Sequence, residues 1–525
     1  MRVVLMVLGI VCATAVPALA QPFASAATSL ARYTVTDTMP SKPCESLSSF
    51  KGEDIVSITA RVVPATADTP RHCRVVGTIT PEVAFEISLP DAWNRRFYMT
   101  GNGGLAGDAM DAPNSPDRTA ALTHGFVHAR TNTGHDNRKE PGGTFVMSNP
   151  QKAIDYAYRA VHVTADLAKR VAADYYARPV TFSYWNSCSN GGRQGLLEAQ
   201  RYPADFDGIV ANAPWVDQTG FMVGAIWNQK VLTETPVPAS KLPLLAEKVM
   251  AKCDAVDGLK DGLIDDPRKC SFDPARDVPA CSAGTDGPDC LTPAQASAIA
   301  KIYSGPVSNG KPYFPGFMPG SEQLVPGPSG TLASSWSGAI IPAQPNAKPA
   351  DFNLAENIMK YLVLDPPQPG YDTMTFDYDK AASTVARWSR IADARNPDLS
   401  NFSKRGGKLI MTYGWADQIL QPLMGVNYYE SILARDRNAA SYTRLFMAPG
   451  MTHCAGGLGP DRMDAVTAVI DWVEKGKAPD QLIASKVTDG KVVRTRPLCP
   501  YPQVARYTGK GSIDDAANFR CQAPK

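Results

Sequence analysis

The sequence carries no surplus of either charge: 53 lysines and arginines face 51 aspartates and glutamates in 525 residues, a formal net charge of +2. That balance excludes capture of nucleic acid or of an anionic membrane by bulk electrostatics and suits a small neutral or weakly charged partner. Beyond the first twenty residues no apolar run approaches the roughly 18 residues that a spanning helix needs, so no membrane association is expected once they are removed. Histidine is scarce, with six in the chain, which narrows the search for a general base. Phosphate and dinucleotide fingerprints are missing. The glycine-rich stretch Gly101-Asn102-Gly103-Gly104-Leu105-Ala106-Gly107 lacks the acidic partner that a dinucleotide site requires. No internal repeat occurs.

What the chain does have begins with an export signal. Arg2 opens a short basic region, 3–16 are apolar, and Ala18-Leu19-Ala20 forms a small-residue cleavage site, so 1–20 are expected to be removed from a secreted or periplasmic protein. Of eleven cysteines, Cys12 falls in that leader, and the remaining ten imply a disulfide framework in an oxidising compartment. Count alone does not fix connectivity. Sequence proximity suggests Cys44 with Cys73, Cys253 with Cys270, Cys281 with Cys290 and Cys499 with Cys521, which leaves Cys188 and Cys454 as a long-range pair.

Strand-like and helix-like patterns alternate from 96 to 200 and again from 408 to 474, the signature of a mostly parallel sheet covered by helices. Between them, 236–400 hold four cysteines, an aspartate cluster and a Pro/Gly/Ser-rich region. The expected organisation is a catalytic domain in two segments, 21–235 and 401–525, with 236–400 inserted as a lid.

Ser187-Cys188-Ser189-Asn190-Gly191-Gly192 lies between a strand pattern and a helix pattern, the context of a nucleophile elbow, with Ser189 as candidate nucleophile. Ser187 stands where such elbows usually carry glycine. Among His72, His124, His128, His135, His162 and His453, only His453 occupies a Gly/Pro-flanked loop just after a late strand. A Cys188–Cys454 bond would bring two Cα atoms to about 5.5–6 Å, drawing the adjoining serine and histidine together. Asp417, beyond the 408–412 strand and between them in chain order, is the candidate orienting acid, with an N-capping role as the alternative. The backbone N–H of Asn190 and one from the glycine loop, at Gly103 or Gly104, are the candidate oxyanion donors.

These residues resemble the tannase and feruloyl esterase family of α/β-hydrolases. The resemblance rests on Cys188-Ser189-Asn190-Gly191-Gly192-Arg193-Gln194-Gly195, on Ala199-Gln200-Arg201-Tyr202-Pro203-Ala204-Asp205-Phe206-Asp207-Gly208-Ile209, on Tyr413-Gly414-Trp415-Ala416-Asp417 and on His453-Cys454-Ala455-Gly456-Gly457. It implies an α/β-hydrolase fold with a large inserted lid, hydrolysis of esters of aromatic acids, and a structural calcium ion. Taken alone, the Asp/Gly-rich stretch after Cys253 reads as either an ordinary turn or a site for a hard oxygen-seeking cation. With the resemblance, Asp254, Asp257 and Asp261 and the carbonyls of Leu259 and Leu263 become the expected ligands. Tyr313, Phe314, Phe317 and Trp336 either stack on an aromatic acyl group or pack the lid itself. No arginine lies between Arg276 and Arg387, so most of the lid lacks the bidentate donor that a terephthalate half-ester's carboxylate would want. Neutral phenolic esters are therefore the expected substrates and terephthalate half-esters the alternative. A non-catalytic binding protein on the same fold is the alternative of another class.

Overall fold

A computed structural model describes residues 22–111, 115–326, 332–344 and 347–524; the expected export signal at 1–20 lies outside them. Nine strands form the main sheet: β1 Ile55–Val63, β2 His72–Ile79, β3 Val83–Pro90, β4 Arg96–Met99, β5 Val127–Thr131, β6 Phe182–Cys188, β7 Gly208–Asn212, β8 Lys408–Gly414 and β9 Thr443–Ala448. Their spatial order is β1-β2-β3-β5-β4-β6-β7-β8-β9. The first three pair antiparallel, as does β3 with β5, and every pairing from β5 to β9 is parallel. The sequence pattern had indicated the parallel part but not the antiparallel β1–β3 edge, where β1 is half-buried to exposed and β2 half-buried to buried. In β8, by contrast, six of seven residues are buried, as expected of a parallel strand covered on both faces.

Six helices matter for the site: α1 Ala160–Tyr176, α2 Asn190–Arg201, α3 Gln218–Glu234, α4 Leu242–Cys253, α5 Pro422–Arg435 and α6 Ala465–Lys475. Ten successive residues of α2, from Asn190 through Ala199, are buried, which makes it a core helix rather than a surface one. Asp217 and Asp464 cap α3 and α6 by accepting backbone N–H bonds from Gly220 and Thr467.

The insertion divides by its packing. Val231 through Ile341 contribute a separate apolar cluster around Phe317 and Trp336. Phe352, Ile358, Met359, Leu362 and Trp388, from the rest of the insertion, join the large cluster that covers the sheet. This architecture is an α/β-hydrolase fold, with β6, β8 and β9 delivering their carboxyl ends to a common edge.

Candidate active site

The turn from β6 into α2 is a strained one. Ser189 has φ 63° and ψ −124°, a conformation that costs a non-glycine residue of the order of 1–3 kcal/mol and persists only where surrounding bonds impose it. Those bonds are present: Ser189 N–H donates to the Asn212 carbonyl, and the Ser189 carbonyl accepts from Arg193 N–H and Trp215 N–H, each at 3.0 Å. The serine at 187 is accommodated by the glycine at 191. A Cβ on Gly191 would lie 2.0 Å from Ser187 Oγ, so the glycine two residues after the nucleophile leaves the room that the Ser187 hydroxyl fills.

Asp417 follows β8 and is fully buried. One carboxylate oxygen accepts backbone N–H bonds from Ile419 and Leu420, at 2.9 and 2.8 Å, and the other pairs with His453 Nδ1 at 2.8 Å. Asp417 thus closes the turn that follows it and pairs with the histidine, whereas the N-cap position of α5 is Gln421, so the helix-capping alternative does not hold. Because Nδ1 faces the carboxylate, it carries the proton and Nε2 is left as the basic nitrogen. The His453 backbone N–H is held by Gln418 Oε1 at 3.1 Å.

The five disulfides are Cys44–Cys73, Cys188–Cys454, Cys253–Cys270, Cys281–Cys290 and Cys499–Cys521. In the second, the Cα atoms are 5.9 Å apart across 266 residues. It joins the residue before Ser189 to the residue after His453. The glycine loop after β4 closes the third side: a Cβ on Gly101 would fall 2.9 Å from the Gly191 Cα, so that loop is pressed against the start of α2. Gly103 is exposed with open space on its Cβ side, and the Gly104 carbonyl accepts from Tyr156 Oη at 3.1 Å. Asn190 is wholly buried.

The aspartate loop lies under the acid and histidine loops rather than apart from them. Gly262, Leu263 and Ile264 line a narrow pocket, with room for about one water, together with Trp415, Ala416 and Gly450. Asp254 Oδ1 accepts from Asp261 N–H and Gly262 N–H, Asp257 Oδ1 from Leu259 N–H, and Asp261 Oδ1 from Leu263 N–H. The other Asp261 oxygen accepts from Arg496. Buried Asp265 was not among the sequence candidates. Burial, and next the Asp257 carboxylate beside it, holds its carboxyl well above the usual range.

Two of the four aromatic candidates are packing residues. Phe317 and Trp336 are 1% and 0% exposed inside the insertion's own cluster, and Trp336 Nε1 donates to Ser321 Oγ. Phe314 is buried against α3, while Tyr313 is partly open. Sequence reading also missed Gln323 of the insertion, which donates to the Gly450 carbonyl and accepts from Leu458 N–H, bracing the histidine loop from above. Elsewhere on α2, Glu198 lies with Asp205 and His162. His162 Nδ1 pairs directly with Asp205 at 2.6 Å, and the Lys169 ammonium donates to the Asp205 carbonyl.

Residues 67–522 match the family described as tannase and feruloyl esterase. The chain is 33% identical to a mono(2-hydroxyethyl) terephthalate hydrolase of Piscinibacter sakaiensis, over 92% of each chain. It is also 33% identical to a probable feruloyl esterase of Arthroderma benhamiae, over 84% of this chain and 82% of that one. Among solved structures, feruloyl esterase B from Aspergillus oryzae superposes with a TM-score of 0.79 at 28% identity, covering 91% of this chain and 99% of that one. The chain belongs to the tannase and feruloyl esterase family.

Proposed function

We propose that this protein is an exported serine esterase that hydrolyses carboxylic esters of aromatic acids, of the feruloyl or galloyl kind, through an acyl-enzyme. The observation that carries the reading is the Asp417–His453 pair at 2.8 Å, on a loop bonded through Cys454 to the residue before Ser189. Ser189 Oγ attacks the ester carbonyl while His453 Nε2 takes its proton. The N–H groups of Asn190 and of Gly103 or Gly104 stabilise the oxyanion. The leaving alcohol departs with the proton from His453, and water repeats the sequence on the acyl-enzyme to release the acid. Hydrolysis of methyl ferulate, methyl gallate, chlorogenate and mono(2-hydroxyethyl) terephthalate, each with wild type and Ser189→Ala, tests this. Equal turnover by both proteins would remove Ser189 as the nucleophile, and no turnover by either would overturn the reading in favour of a non-catalytic binding role.

A second substrate reading, a terephthalate half-ester, is favoured by the relative from Piscinibacter sakaiensis. The lack of arginine between Arg276 and Arg387 weighs against it, because a free carboxylate is best held by a guanidinium fork.

The aspartate loop supports a structural calcium. Asp254, Asp257, Asp261 and Asp265 crowd oxygen donors into twelve residues, with the Arg496 guanidinium on Asp261 as the cation beside them. That donor chemistry fits a hard cation. Asp254, Asp257 and Asp261, with the carbonyls of Leu259 and Leu263, would hold it. Export through a signal at 1–20 is supported by the five disulfides, and among the described residues no helix is long and apolar enough to cross a membrane.

A further inference from the structure

The glycine loop and the nucleophile helix are separate elements, and an oxyanion hole that takes one donor from each works only if their spacing is fixed. Gln194, one turn into α2, meets Asn102 of the glycine loop in a two-way amide contact. Asn102 backbone N–H donates to Gln194 Oε1 at 3.0 Å, and Gln194 Nε2 donates to Asn102 Oδ1 at 3.2 Å. Both side chains are buried, at 1% and 3% exposure. Asn102 has no freedom to turn away, because its Nδ2 donates to the Thr131 carbonyl at 2.7 Å and to Asp108 at 2.8 Å. The loop is tied to the end of β5 on one side and to α2 on the other.

A second tie lies two residues further on. Tyr156 Oη donates to the Gly104 carbonyl at 3.1 Å and accepts from Gln218 Nε2 at 2.9 Å, while Trp388 Nε1 fixes Gln218 Oε1 at 2.8 Å. The Asn190 side chain is held from the same helix, with Arg193 Nε on its Oδ1 at 2.8 Å. The two ties bracket Gly103, the loop residue that is exposed and has open space on its Cβ side.

We propose that Gln194 is a positioning residue for the esterase reaction: its amide pair with Asn102, seconded by Tyr156 on Gly104, sets the distance between the oxyanion donors of the glycine loop and that of Asn190. Gln194 touches neither substrate nor Ser189 in this role. It acts by holding the loop at a spacing suited to the tetrahedral intermediate, where its loss weakens transition-state stabilisation more than ground-state binding. The inference rests on the serine esterase reading.

Gln194→Met keeps the length of the side chain and removes both hydrogen bonds. The expected result is a ~10- to 100-fold fall in kcat with KM changed by less than about threefold, since small misplacements of catalytic groups carry penalties of that size. Inactivation by a fluorophosphonate and affinity for an aryl boronic acid, both of which place an oxygen in the hole, should fall in proportion to kcat/KM. Tyr156→Phe, a change that leaves the ring packing intact, should give a smaller fall of the same pattern, about three- to tenfold, and it carries the test if Gln194→Met does not fold. A folded variant whose kcat and boronic-acid affinity stay within about twofold of wild type, whatever its melting temperature, would overturn the proposal and leave Gln194 a packing residue. Failure of wild type to be labelled at Ser189 would instead overturn the esterase reading beneath it.

Discussion

In the sheet, Glu86 on β3 is fully buried among guanidiniums, accepting from Arg74 at 2.8 Å, Arg118 at 2.6 Å and Arg130 at 3.0 Å. Burial alone would raise its carboxyl, but the bond from Arg74 and the neighbouring arginine charges outweigh it and bring the group down to about 2. In the insertion, Glu322 and Asp351 are buried as deeply with neutral partners only, Tyr303 and the Gly320 backbone for one, Asn228 and the Phe352 backbone for the other. Desolvation there pushes both carboxyls up to about 7. Glu86, in the sheet that carries Ser189, Asp417 and His453, is thus balanced by fixed charges, whereas the charge state of Glu322 and Asp351 in the insertion is conditional on pH.

Four perturbations break or sharpen that contrast. The largest acts on the balanced side. Ser189→Ala should lose ester hydrolysis by roughly 10⁴-fold or more, and Asp417→Asn, which frees His453 to take the other tautomer, should cost ~10³- to 10⁴-fold. Steady-state kinetics with melting curves near wild type check both. A near-wild-type rate for either variant would remove the proposed triad.

Next comes the covalent tie. A Cys188→Ala, Cys454→Ala pair loses a loop closure worth about 5 kcal/mol by chain entropy. Activity measured below the lowered melting temperature should still fall by ~100-fold, because the serine and histidine loops lose their register. If residual activity simply tracks the folded fraction, the disulfide is structural only.

On the conditional side, Asp254→Ala with Asp257→Ala should lower the melting temperature by several degrees, as a loss of 1–3 kcal/mol does. The variant should also lose the stabilisation that added calcium gives wild type. Identical wild-type melting with calcium and after verified removal by chelator would contradict the calcium assignment. Because Leu263 and Ile264 share a cavity with Trp415, Ala416 and Gly450, kcat should fall modestly as well.

The smallest effect is in pH. Glu86 contributes stability that is present above its ordinary value near 4.5 and lost as pH falls through about 2. Glu322 and Asp351 have the opposite sign: their contribution is present below the ordinary carboxylate range and lost as pH rises through about 7. Glu322→Gln should therefore flatten the decline in melting temperature between pH 5 and 8 while leaving the acid limb unchanged. An unaltered pH profile would show that Glu322 does not titrate in that range.

What was legible in the sequence was local. Alternating periods indicated the parallel sheet, the turn chemistry around Ser189 marked the elbow, and cysteine spacing suggested the five pairings found. The antiparallel β1–β3 edge was missed because it precedes the strand–helix alternation that indicated the sheet, although Ile58, Ala60 and Val62 of β1 alternate with exposed Thr59 and Arg61. Gln194, Tyr156 and Gln323 were missed for a different reason: a buried amide or phenol has no periodic or spacing signal, and its meaning depends on what the fold brings against it. The same holds for Phe317 and Trp336, whose composition suited a substrate platform and whose packing made them the insertion's own core. Ser187 departs from the usual elbow, and only its packing against Gly191 shows how the hydroxyl is accommodated.

The most direct test of the central claim is to label the oxidised protein with a fluorophosphonate and map it by non-reducing peptide mass spectrometry. The account predicts one labelled peptide carrying the adduct on Ser189, joined through Cys188 to the peptide containing His453 and Cys454. An adduct on another residue, a free Cys188 thiol in active enzyme, or Cys188 joined to a different cysteine would contradict it.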